Sequence, residues 1–433
     1  MTTPADGSAS PAPQHPTRAR YWLVVFAVTL AVIQYVDRVC ISKAAPFVSR
    51  DLGLSKEQMG WVFSAFTLAY ALFEIPTGYW GDRIGPRRVL LRVVLWWSFF
   101  TAATGWVRGW ISLVTVRFLF GAGEAGCFPN LANAFSRWLP VAERLRVQAI
   151  IWMSARWGGA ITPILVYLVL TQVNWRVAFA LFGVLGVAWA VAFARWFRDD
   201  PRQHPGVNAA EARQLPAAPP AADHFAVPWS KLLRCRSVWL LCGQYFACSY
   251  AWYFFVTWFP TYLIEVHQFD VTLKSAFLAG LPLFLGGCGM LLIGAAGPAL
   301  QRLTGGAGRA IRLTGAVGFG AAGVCLILAT VTRQPLLAVG AIALASFCND
   351  TTIPGAWTSC MAIGGRYVGT LGGMMNMVGN IGGFISPIVL GYVVGGTGNW
   401  NLTFYVTAAV YVLGALCWWF LDPVTPLEQQ VRD

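Results

Sequence analysis

The sequence predicts an all-α membrane protein with twelve transmembrane helices arranged as two six-helix bundles. Three observations support this fold class. Only 11% of the 433 residues are charged and the mean hydropathy is +0.58, whereas soluble proteins carry about 25% charged residues to face water. Polar or Gly/Pro-rich breaks cut the chain into twelve apolar segments, most of them long enough to span a bilayer. One break of about forty residues divides these segments into six and six, which suggests an internal duplication.

The apolar segments define the expected domain organisation. They cover residues 21–45, 57–80, 89–107, 110–138, 145–171 and 176–197 in the first half, and 237–265, 275–299, 311–331, 334–361, 366–396 and 401–421 in the second half. Residues 1–20 mix Pro, Ala, Ser and Gly without apolar periodicity, and we expect them to form a disordered cytoplasmic tail. The remaining divisions are an N-terminal bundle (21–197), a cytoplasmic central loop (198–236), a C-terminal bundle (237–421) and a cytoplasmic tail (422–433).

The basic residues predict the orientation of this topology. With the N-terminus inside, the cytoplasmic loops hold roughly three times as many Lys and Arg residues as the opposite loops, which is the bias that membrane proteins show. We therefore expect a multi-pass protein of the cell inner (plasma) membrane with both termini in the cytoplasm. The net charge of +13 follows mainly from this bias, so no nucleic-acid partner is expected.

Ionisable residues inside the apolar segments are the main functional signal, because each costs about 2.5–3.5 kcal/mol at the bilayer centre unless it meets water or a partner. They are Asp37, Arg38, Glu74, Arg117, Glu124, Arg156 and Asp350. Arg117 and Glu124 lie two turns apart on one face of the fourth segment, where they can share a cavity. The simplest arrangement is a cross-helix quartet of Asp37, Arg38, Arg117 and Glu124.

The two carboxyl groups of this quartet, Asp37 and Glu124, are the candidate proton-coupling residues. A neighbouring arginine favours an ionised carboxylate and burial favours the neutral acid, so moving one arginine can switch protonation on or off. The alternative is a static ion-pair cluster that clamps the helices together.

Three further charged residues keep two interpretations each. Arg156, beside two glycines in the fifth segment, either binds an anion or pairs with Asp350 or Glu124 for structure. Glu74 lies about one turn before a cytoplasmic loop, where it either bonds neighbouring helices or contacts substrate or proton. Asp350 is equally open between a functional and a structural role.

Polar and aromatic side chains inside otherwise apolar segments complete the candidate substrate site. With the arginines, the predicted substrate-binding residues are Tyr35, Arg38, Tyr70, Arg117, Arg156, Tyr253, Trp357, Thr358 and Asn376. Most other Trp and Tyr residues are expected to form interfacial belts or to pack in the core.

The loop after the second segment carries a motif with a conformational role. Its pattern is G-x-x-x-D-R-x-G-x-R-R, formed by Gly78, Asp82, Arg83, Gly85, Arg87 and Arg88. The glycines permit a tight turn, Asp82 can accept bonds from a helix N-terminus or an arginine, and the arginines hold the loop inside. The corresponding position in the second half retains Gly297 and Arg302 but lacks the aspartate.

This loop motif, its weaker copy and the six-plus-six pattern resemble the major facilitator superfamily of secondary transporters. Within it, the strings YVDR, RFLFGAGEAGCFPN, DDPRQHPGVNAAE, YFFVTWFPTYL and GGMMNMVGNIGG are similar to the anion:cation symporter family, over nearly all of Tyr21 to Asp422. That family includes bacterial permeases for hexuronates, glucarate and galactonate, carriers of aromatic acids, and animal sialic-acid and glutamate carriers. The resemblance therefore implies an organic anion as substrate.

The resemblance also implies roles for individual residues. Galactonate-type members place proton-coupling carboxylates at Asp37 and Glu124, arginines at Arg38 and Arg117, and substrate contacts at Tyr35, Tyr70 and Asn376. These members tend to have Gln near Arg156, so the additional cation here either suits a dianion such as an aldarate or pairs with Asp350.

The predicted function is import of a small carboxylate, with a sugar acid as the expected class, by proton symport and alternating access. A drug/proton antiporter of the same superfamily and a transporter-like membrane sensor are the alternatives. No nucleophile–base set or metal motif is present in the sequence, so an enzyme is not expected. The proton is the expected coupling ion without any cofactor, the bilayer and the carboxylate are the expected partners, and we expect a monomer.

Overall fold

The computed structural model describes residues 15–216, 227–268, 273–332 and 334–430, and within these ranges the chain is helical and contains no strand. Twelve helical units cross the molecule, which confirms the predicted all-α class. They are α1 (Arg20–Leu52), α2 (Lys56–Ile84), α3 (Pro86–Thr104), α4 (Trp110–Glu124 and Cys127–Trp138), α5 (Val141–Leu170), α6 (Trp175–Trp196), α7 (Arg236–Thr257 and Phe259–Glu265), α8 (Leu273–Thr304), α9 (Ala307–Val331), α10 (Pro335–Asp350 and Ile353–Gly364), α11 (Val368–Thr397) and α12 (Trp400–Phe420).

Helix ends follow from local chemistry more than from the end of an apolar run. The first helix continues to Leu52, beyond its predicted end at residue 45, because Gly53 is the first residue that adopts the left-handed conformation that ends a helix (φ +66°). Ser55 then starts α2 by accepting the Gln58 backbone N–H at 3.2 Å in a capping box.

Three of the predicted continuous helices are broken. The fourth segment bends at Gly126, whose φ of +83° ends one helical piece and begins the next. The seventh is interrupted at Trp258. The tenth is interrupted at Thr351 and Thr352, ahead of Pro354, which cannot donate a helical backbone bond. Apolar periodicity continues through all three breaks, so the sequence pattern did not indicate them.

The twelve helices form two bundles with the same internal packing. In the first bundle α1 packs on α5, α2 on α4 and α3 on α6. In the second, α7 packs on α11, α8 on α10 and α9 on α12, so each pair recurs six helices later. Between the bundles, α2 packs on α11 and α5 on α8. This repetition agrees with the duplication inferred from the sequence.

The outer surface of the bundles is apolar. Leu72, Val184, Leu328 and Leu413 are examples of large apolar side chains that are more than half exposed on long helices. By length and composition, eight stretches of the described residues can cross a membrane, and one of them, 335–394, runs through α10 and most of α11. The helices α3, α5 and α7 are not among them. In α3 the first turns carry three arginines. An apolar exterior of this kind requires lipid around it.

We call the end of the molecule where α1 and α7 begin and α6 and α12 end the terminal face. The chain after α6 does not leave this face as a free loop. The Trp138 indole N–H donates to the Arg198 carbonyl at 2.8 Å, and Asp199 accepts the Arg87 backbone N–H at 2.8 Å. Two short helices, Ala209–Ala212 and Trp229–Arg234, also lie in the predicted central loop. Residues 1–14, 217–226 and 431–433 of the predicted tails and loop lie outside the described residues.

A buried carboxylate, Glu211, joins the residues just before α1 to this central segment. It accepts hydrogen bonds from the Thr17 hydroxyl at 2.7 Å and from the Ala19 and Arg20 backbone N–H groups at 3.1 and 3.2 Å. The Arg20 guanidinium pairs with Glu211 at 3.2 Å and with Glu143 of α5 at 2.9 Å. The N-terminal segment, the central segment and the first bundle are thereby held together.

The variant Glu211→Ala is expected to lower the free energy of unfolding by about 2–4 kcal/mol, because it leaves several buried donors without an acceptor. Thermal unfolding of the purified protein in detergent measures this loss. The variant Glu428→Ala, at an exposed position of the C-terminal tail, is the matched control and should unfold like the wild type. An unchanged unfolding temperature for Glu211→Ala would contradict the structural role of Glu211.

Near the terminal face, α2 and α11 touch backbone to backbone. A Cβ atom at Gly78 would overlap the carbonyl oxygen of Gly369, and a Cβ at Gly369 would overlap that of Gly78. One turn further into the molecule, a Cβ at Gly373 would lie 2.6 Å from the carbonyl oxygen of Glu74. The bundles can therefore close here only because these positions carry no side chain.

The variant Gly78→Ala is expected to shift the equilibrium towards an open terminal face at least about tenfold, because a loss of only about 1.4 kcal/mol in the closed conformation has that effect. The distance between spin labels at positions 83 and 366, on opposite bundles of that face, measures it. Gly60→Ala is the matched control on the same helix, since a Cβ there meets nothing within 4 Å. Equal distances for both variants would show that closure does not depend on this contact.

Candidate functional site

A cavity of about 60 Å³ lies between the two bundles at the middle of their long helices. Six of the predicted substrate-binding residues line it: Tyr35, Arg38, Tyr70, Arg156, Tyr253 and Asn376. The first four come from α1, α2 and α5 of the first bundle, and the last two from α7 and α11 of the second. Predicted residues from five helices and both bundles therefore meet at one place.

Arg38 of α1 pairs with the fully buried Glu124 of α4. The Arg38 Nη2 and Nε atoms lie 2.6 and 3.0 Å from Glu124 Oε1, and Gln34 Nε2 donates to the same oxygen at 2.8 Å. The guanidinium also stands 4.7 Å from the centre of the Tyr70 ring. Among the described residues Glu124 Oε2 has no hydrogen-bond partner. The charge of Arg38 is therefore balanced by Glu124 while its guanidinium faces the cavity.

Asp37 and Arg117 are buried behind this pair and do not line the cavity. Neither carboxylate oxygen of Asp37 has a hydrogen-bond partner among the described residues, although its surroundings include Trp97, Arg117 and Glu124. The Arg117 guanidinium packs on the faces of Phe120 and Phe66, at 4.4 and 5.1 Å from their centres. The expected quartet is therefore assembled in space but bonded only between Arg38 and Glu124.

Arg156 of α5 pairs with Asp350 of α10 across the bundle interface. Its Nε and Nη2 atoms lie 2.8 and 3.1 Å from Asp350 Oδ2 and Oδ1, and Asn349 Nδ2 donates to Oδ1 at 2.8 Å. Asp350 is fully buried and Arg156 is 5% exposed. The guanidinium lies 4.5 Å from the centre of the Trp252 ring. Of the partners considered for Arg156, the structure selects Asp350.

Glu74 forms a second contact between the bundles. Asn376 Nδ2 of α11 donates to Glu74 Oε1 at 2.6 Å and to the Tyr70 hydroxyl at 3.3 Å. Glu74 is fully buried, and in the described part of the chain its Oε2 has no hydrogen-bond partner. Glu74 therefore lies directly beneath the cavity-lining residues Tyr70 and Asn376, towards the terminal face.

Trp357 and Thr358 of α10 lie outside the cavity lining in this conformation. The Trp357 indole N–H donates to the Tyr245 hydroxyl at 3.1 Å, and its ring packs near those of Trp152 and Phe128. The Thr358 hydroxyl donates to the carbonyl of Pro354 within its own helix. Trp357 supports the lining residues from behind, and a role for either residue in binding stays a prediction.

One face of α7 contributes lining residues that the sequence reasoning missed. Tyr245, Ser249 and Trp252 line the cavity beside the predicted Tyr253. Their spacing of three to four residues places them on one helix face. That spacing was visible in the sequence, but no charged residue marked it. Phe128, Trp152, Cys248, Ile353 and Asn380 also line the cavity.

Asp82 fastens the two bundles at the terminal face. Its Oδ1 accepts the Gly369 backbone N–H at 2.7 Å, and its Oδ2 accepts the backbone N–H and the hydroxyl of Thr370 at 2.6 and 2.7 Å. Asn133 Nδ2 of α4 donates to Oδ1 at 2.7 Å. The N–H groups at the start of α11 lack helical acceptors, and a carboxylate there also meets the positive end of the helix dipole.

The other residues of the predicted motif serve the first bundle or face outwards. Gly85 adopts a φ of +90° and turns the chain between α2 and α3. The Arg87 guanidinium donates to the Ala194 carbonyl at the end of α6. Arg83 and Arg88 are exposed on the terminal face. Gly78 and Asp82 are thus the motif residues that touch the second bundle, and the gating role of the set stays a prediction.

The chemistry that this arrangement supports is ionic. The described residues contain no group of three His, Cys, Asp or Glu side chains placed to hold a metal ion. The cavity instead presents two guanidinium groups, the hydroxyls of Tyr35, Tyr70 and Tyr253, and the Asn376 amide. Guanidinium groups bind carboxylate and related oxyanions with two parallel hydrogen bonds.

Comparison with known proteins identifies the family of this fold and site. The family model described as the Major Facilitator Superfamily matches residues 27–387. The chain belongs to the major facilitator superfamily. It is accordingly a multi-pass membrane transporter and not an enzyme, as the sequence predicted.

Similar proteins of this superfamily transport organic anions. A probable sulfoacetate transporter of Cupriavidus necator is 36% identical over 418 residues, which cover 95% of this chain and 96% of that protein. A probable galactarate/D-glucarate transporter of Escherichia coli is 31% identical over 406 residues, or 89% of each chain. A hexuronate transporter of Bacillus subtilis is 29% identical and covers 91% of this chain and 92% of its own. These names confirm the resemblance to sugar-acid permeases.

Solved structures show the same fold at lower sequence identity. The proton:xylose symporter aligns with a TM-score of 0.76 at 11% identity, covering 95% of this chain and 98% of that one. The Escherichia coli fucose:proton symporter aligns with a TM-score of 0.68 at 15% identity, covering 96% and 100%. Both confirm the arrangement of twelve helices in two bundles.

Proposed function

We propose that this protein imports a small organic anion together with protons, by alternating access of a site between its two bundles. The observation that carries the proposal is the cavity itself, because two arginines line it and each is paired with a buried carboxylate. Such a site offers cationic groups to an anion and supplies acidic groups that can take up protons when the anion arrives. Each chain holds a whole cavity, so the monomer is the expected transporting unit.

The substrate class is a small carboxylate or related acid, with sugar acids as the expected members. The relatives are named for anions with one acidic group, such as hexuronates, and with two, such as glucarate and sulfoacetate. The cavity of about 60 Å³ is several times the roughly 10–15 Å³ that one water molecule needs, so it has room for a small solute.

Proton coupling follows from the Arg38–Glu124 pair. An anion that binds Arg38 competes with Glu124, and a buried carboxylate that loses its cation is costly unless it takes a proton. Asp37, buried without hydrogen bonds next to Arg117, is the second proton site. A proton can drive transport only if it binds one conformation more tightly than the other. We expect this difference in proton affinity to arise when Arg38 moves between Glu124 and the substrate.

The contacts of Asp82, Glu74 and Gly78 close the terminal face in this conformation. Since Lys and Arg concentrate in the loops of that face, we propose that it lies in the cytoplasm of a cell whose inner membrane holds the protein. We propose that the site faces the outside in this conformation, where protons and substrate enter together. Opening of the terminal face releases both.

Uptake into proteoliposomes tests this function. The purified protein is reconstituted and supplied with radiolabelled glucuronate, gluconate, glucarate, sulfoacetate or benzoate, with and without an acidic exterior. We expect saturable accumulation of at least one of the carbohydrate or sulfonated acids that depends on the pH gradient and not on a sodium gradient. Absence of uptake for every acid would refute the anion assignment, and uptake that ignores the pH gradient would refute proton coupling.

A further inference from the structure

The two arginines of the cavity differ in where their carboxylate partners lie. Arg38 and Glu124 both belong to the first bundle, on α1 and α4. Arg156 belongs to the first bundle and Asp350 to the second, so this pair crosses the interface. An anion that takes Arg38 breaks an ion pair within the first bundle, whereas an anion that takes Arg156 breaks an ion pair between the bundles.

Asp350 binds Arg156 with the same paired hydrogen bonds that a substrate carboxylate would form. The two N–H···O contacts, at 2.8 and 3.1 Å, have the paired geometry with which a guanidinium binds a free carboxylate. A Cβ atom at Gly286 of α8 would overlap Asp350 Oδ2, so the absence of a side chain there makes room for this carboxylate. Arg156 nevertheless lines the cavity, where a solute can reach it.

A second anionic group beside Arg156 cannot share it with an ionised Asp350. Two carboxylates on one guanidinium at a buried site repel each other, and the surplus charge is costly unless one of them becomes neutral. We propose that Asp350 occupies the place on Arg156 that the second acidic group of a two-acid substrate takes. When such a substrate binds, its second acidic group displaces Asp350 from Arg156. The inference rests on the proposed function, because it assumes that the cavity binds organic anions.

The replacement includes one protonation step whose charge balances. The substrate anion forms hydrogen bonds to the Arg156 guanidinium, the Arg156–Asp350 bonds break, and a hydronium ion from the outside solution gives its proton to Asp350, which forms an O–H bond and leaves a neutral water molecule. Asp350 becomes neutral and the positive charge of Arg156 is matched by the substrate. Asn349 still reaches Asp350 Oδ1. The other titratable groups that face the pair are Tyr35, Tyr245, Cys248, Tyr253 and Tyr411.

This exchange explains how a substrate with two acidic groups would be selected. A one-acid substrate satisfies Arg38 and leaves the Arg156–Asp350 pair joining the bundles. A two-acid substrate binds both arginines and breaks the Arg156–Asp350 pair. The two bundles then lose this contact at the level of the cavity and can move relative to each other. Selection then acts on the number of acidic groups, and each two-acid molecule brings one proton more than a one-acid molecule does.

Matched pairs of acids and four variants test the proposal on the full chain in proteoliposomes. The probes are glucarate against gluconate and sulfoacetate against acetate, with affinity and protons per anion measured for each. The variants are Arg156→Gln, Asp350→Asn, the double variant that removes both charges without leaving one unpaired, and Asp51→Asn as a control. Asp51 forms an exposed salt bridge to Arg176 at 2.8 Å, away from the cavity.

The wild type and Asp51→Asn should prefer the two-acid member of each pair about tenfold or more, as expected for two charge-assisted bonds. Arg156→Gln and the double variant should lose this preference, because the affinity for the two-acid member falls to that for the one-acid member. Asp350→Asn should bind the two-acid member more tightly and carry one proton fewer with it.

Three results would overturn the inference and leave the proposed function standing. The first is an equal loss of affinity for one-acid and two-acid members in both Arg156→Gln and the double variant. The second is an unchanged proton count for two-acid substrates in Asp350→Asn. The third is binding of all four acids by the wild type with equal affinity. Failure of the wild type to bind any of the four acids would instead count against the proposed function.

Discussion

Replacement of Asp82 by alanine is expected to open the terminal face and to reduce transport about 100-fold. The side chain accepts three hydrogen bonds from the start of α11, and bonds to a charged acceptor contribute about 1.5–3 kcal/mol each. A net loss of only about 3 kcal/mol shifts the equilibrium between closed and open conformations more than 100-fold. The distance between spin labels at positions 83 and 366, on opposite bundles of that face, measures the shift, and uptake measures the rate.

The variant Thr370→Val provides a graded control for this prediction. It removes the hydroxyl bond to Asp82 Oδ2 and keeps both backbone bonds. Its spin-label distances and rate should lie between those of the wild type and of Asp82→Ala. Closed-state distances in Asp82→Ala would contradict the proposed fastening of the bundles, whatever the transport rate.

The variant Glu124→Gln is expected to abolish accumulation driven by a pH gradient while exchange of labelled for unlabelled substrate continues. Glutamine keeps the shape of the side chain and one oxygen acceptor for Arg38 and Gln34, but it can neither lose nor gain a proton. A gradient of one pH unit supplies about 1.4 kcal/mol per proton, or about tenfold accumulation. Steady-state accumulation and exchange, measured in the same proteoliposomes, separate coupling from binding.

Glu143→Gln is the control for the loss of a carboxylate, because Glu143 pairs with Arg20 at the terminal face, far along α5 from the cavity. It should accumulate substrate like the wild type. Uphill accumulation retained by Glu124→Gln would exclude Glu124 as an essential coupling site. Loss of both accumulation and exchange would place Glu124 in binding instead.

The sequence predicted the fold and picked out the charged residues at and around the cavity, because the cost of burying charge in lipid makes apolar segment lengths and intramembrane charges easy to recognise. It could not predict how those charges pair. Arg156 and Asp350 are separated by 194 residues, and Asp82 and Thr370 by 288. Each charge had several possible partners on other helices, and helix rotation and crossing, which no local pattern encodes, decide among them.

The missed residues have a related cause. Tyr245 and Trp252 are ordinary residues of an apolar helix, and only the position of α7 against α11 turns them towards the cavity. Trp357 was included because it is a large amphipathic residue in an apolar segment, and the structure uses its indole to hold Tyr245. Side-chain type alone does not separate a residue that lines a cavity from one that supports the lining.

The first and last described segments of the chain contact different halves of the molecule. Thr17 is bound through Glu211 to the first bundle, while Gln430 accepts the Cys235 thiol at 3.4 Å at the start of the second. Fluorophores attached beside these two positions, where the anchoring side chains are kept, would therefore each move with one bundle. The pair would form a reporter of bundle rotation that leaves the cavity, its charges and the helix interface unaltered.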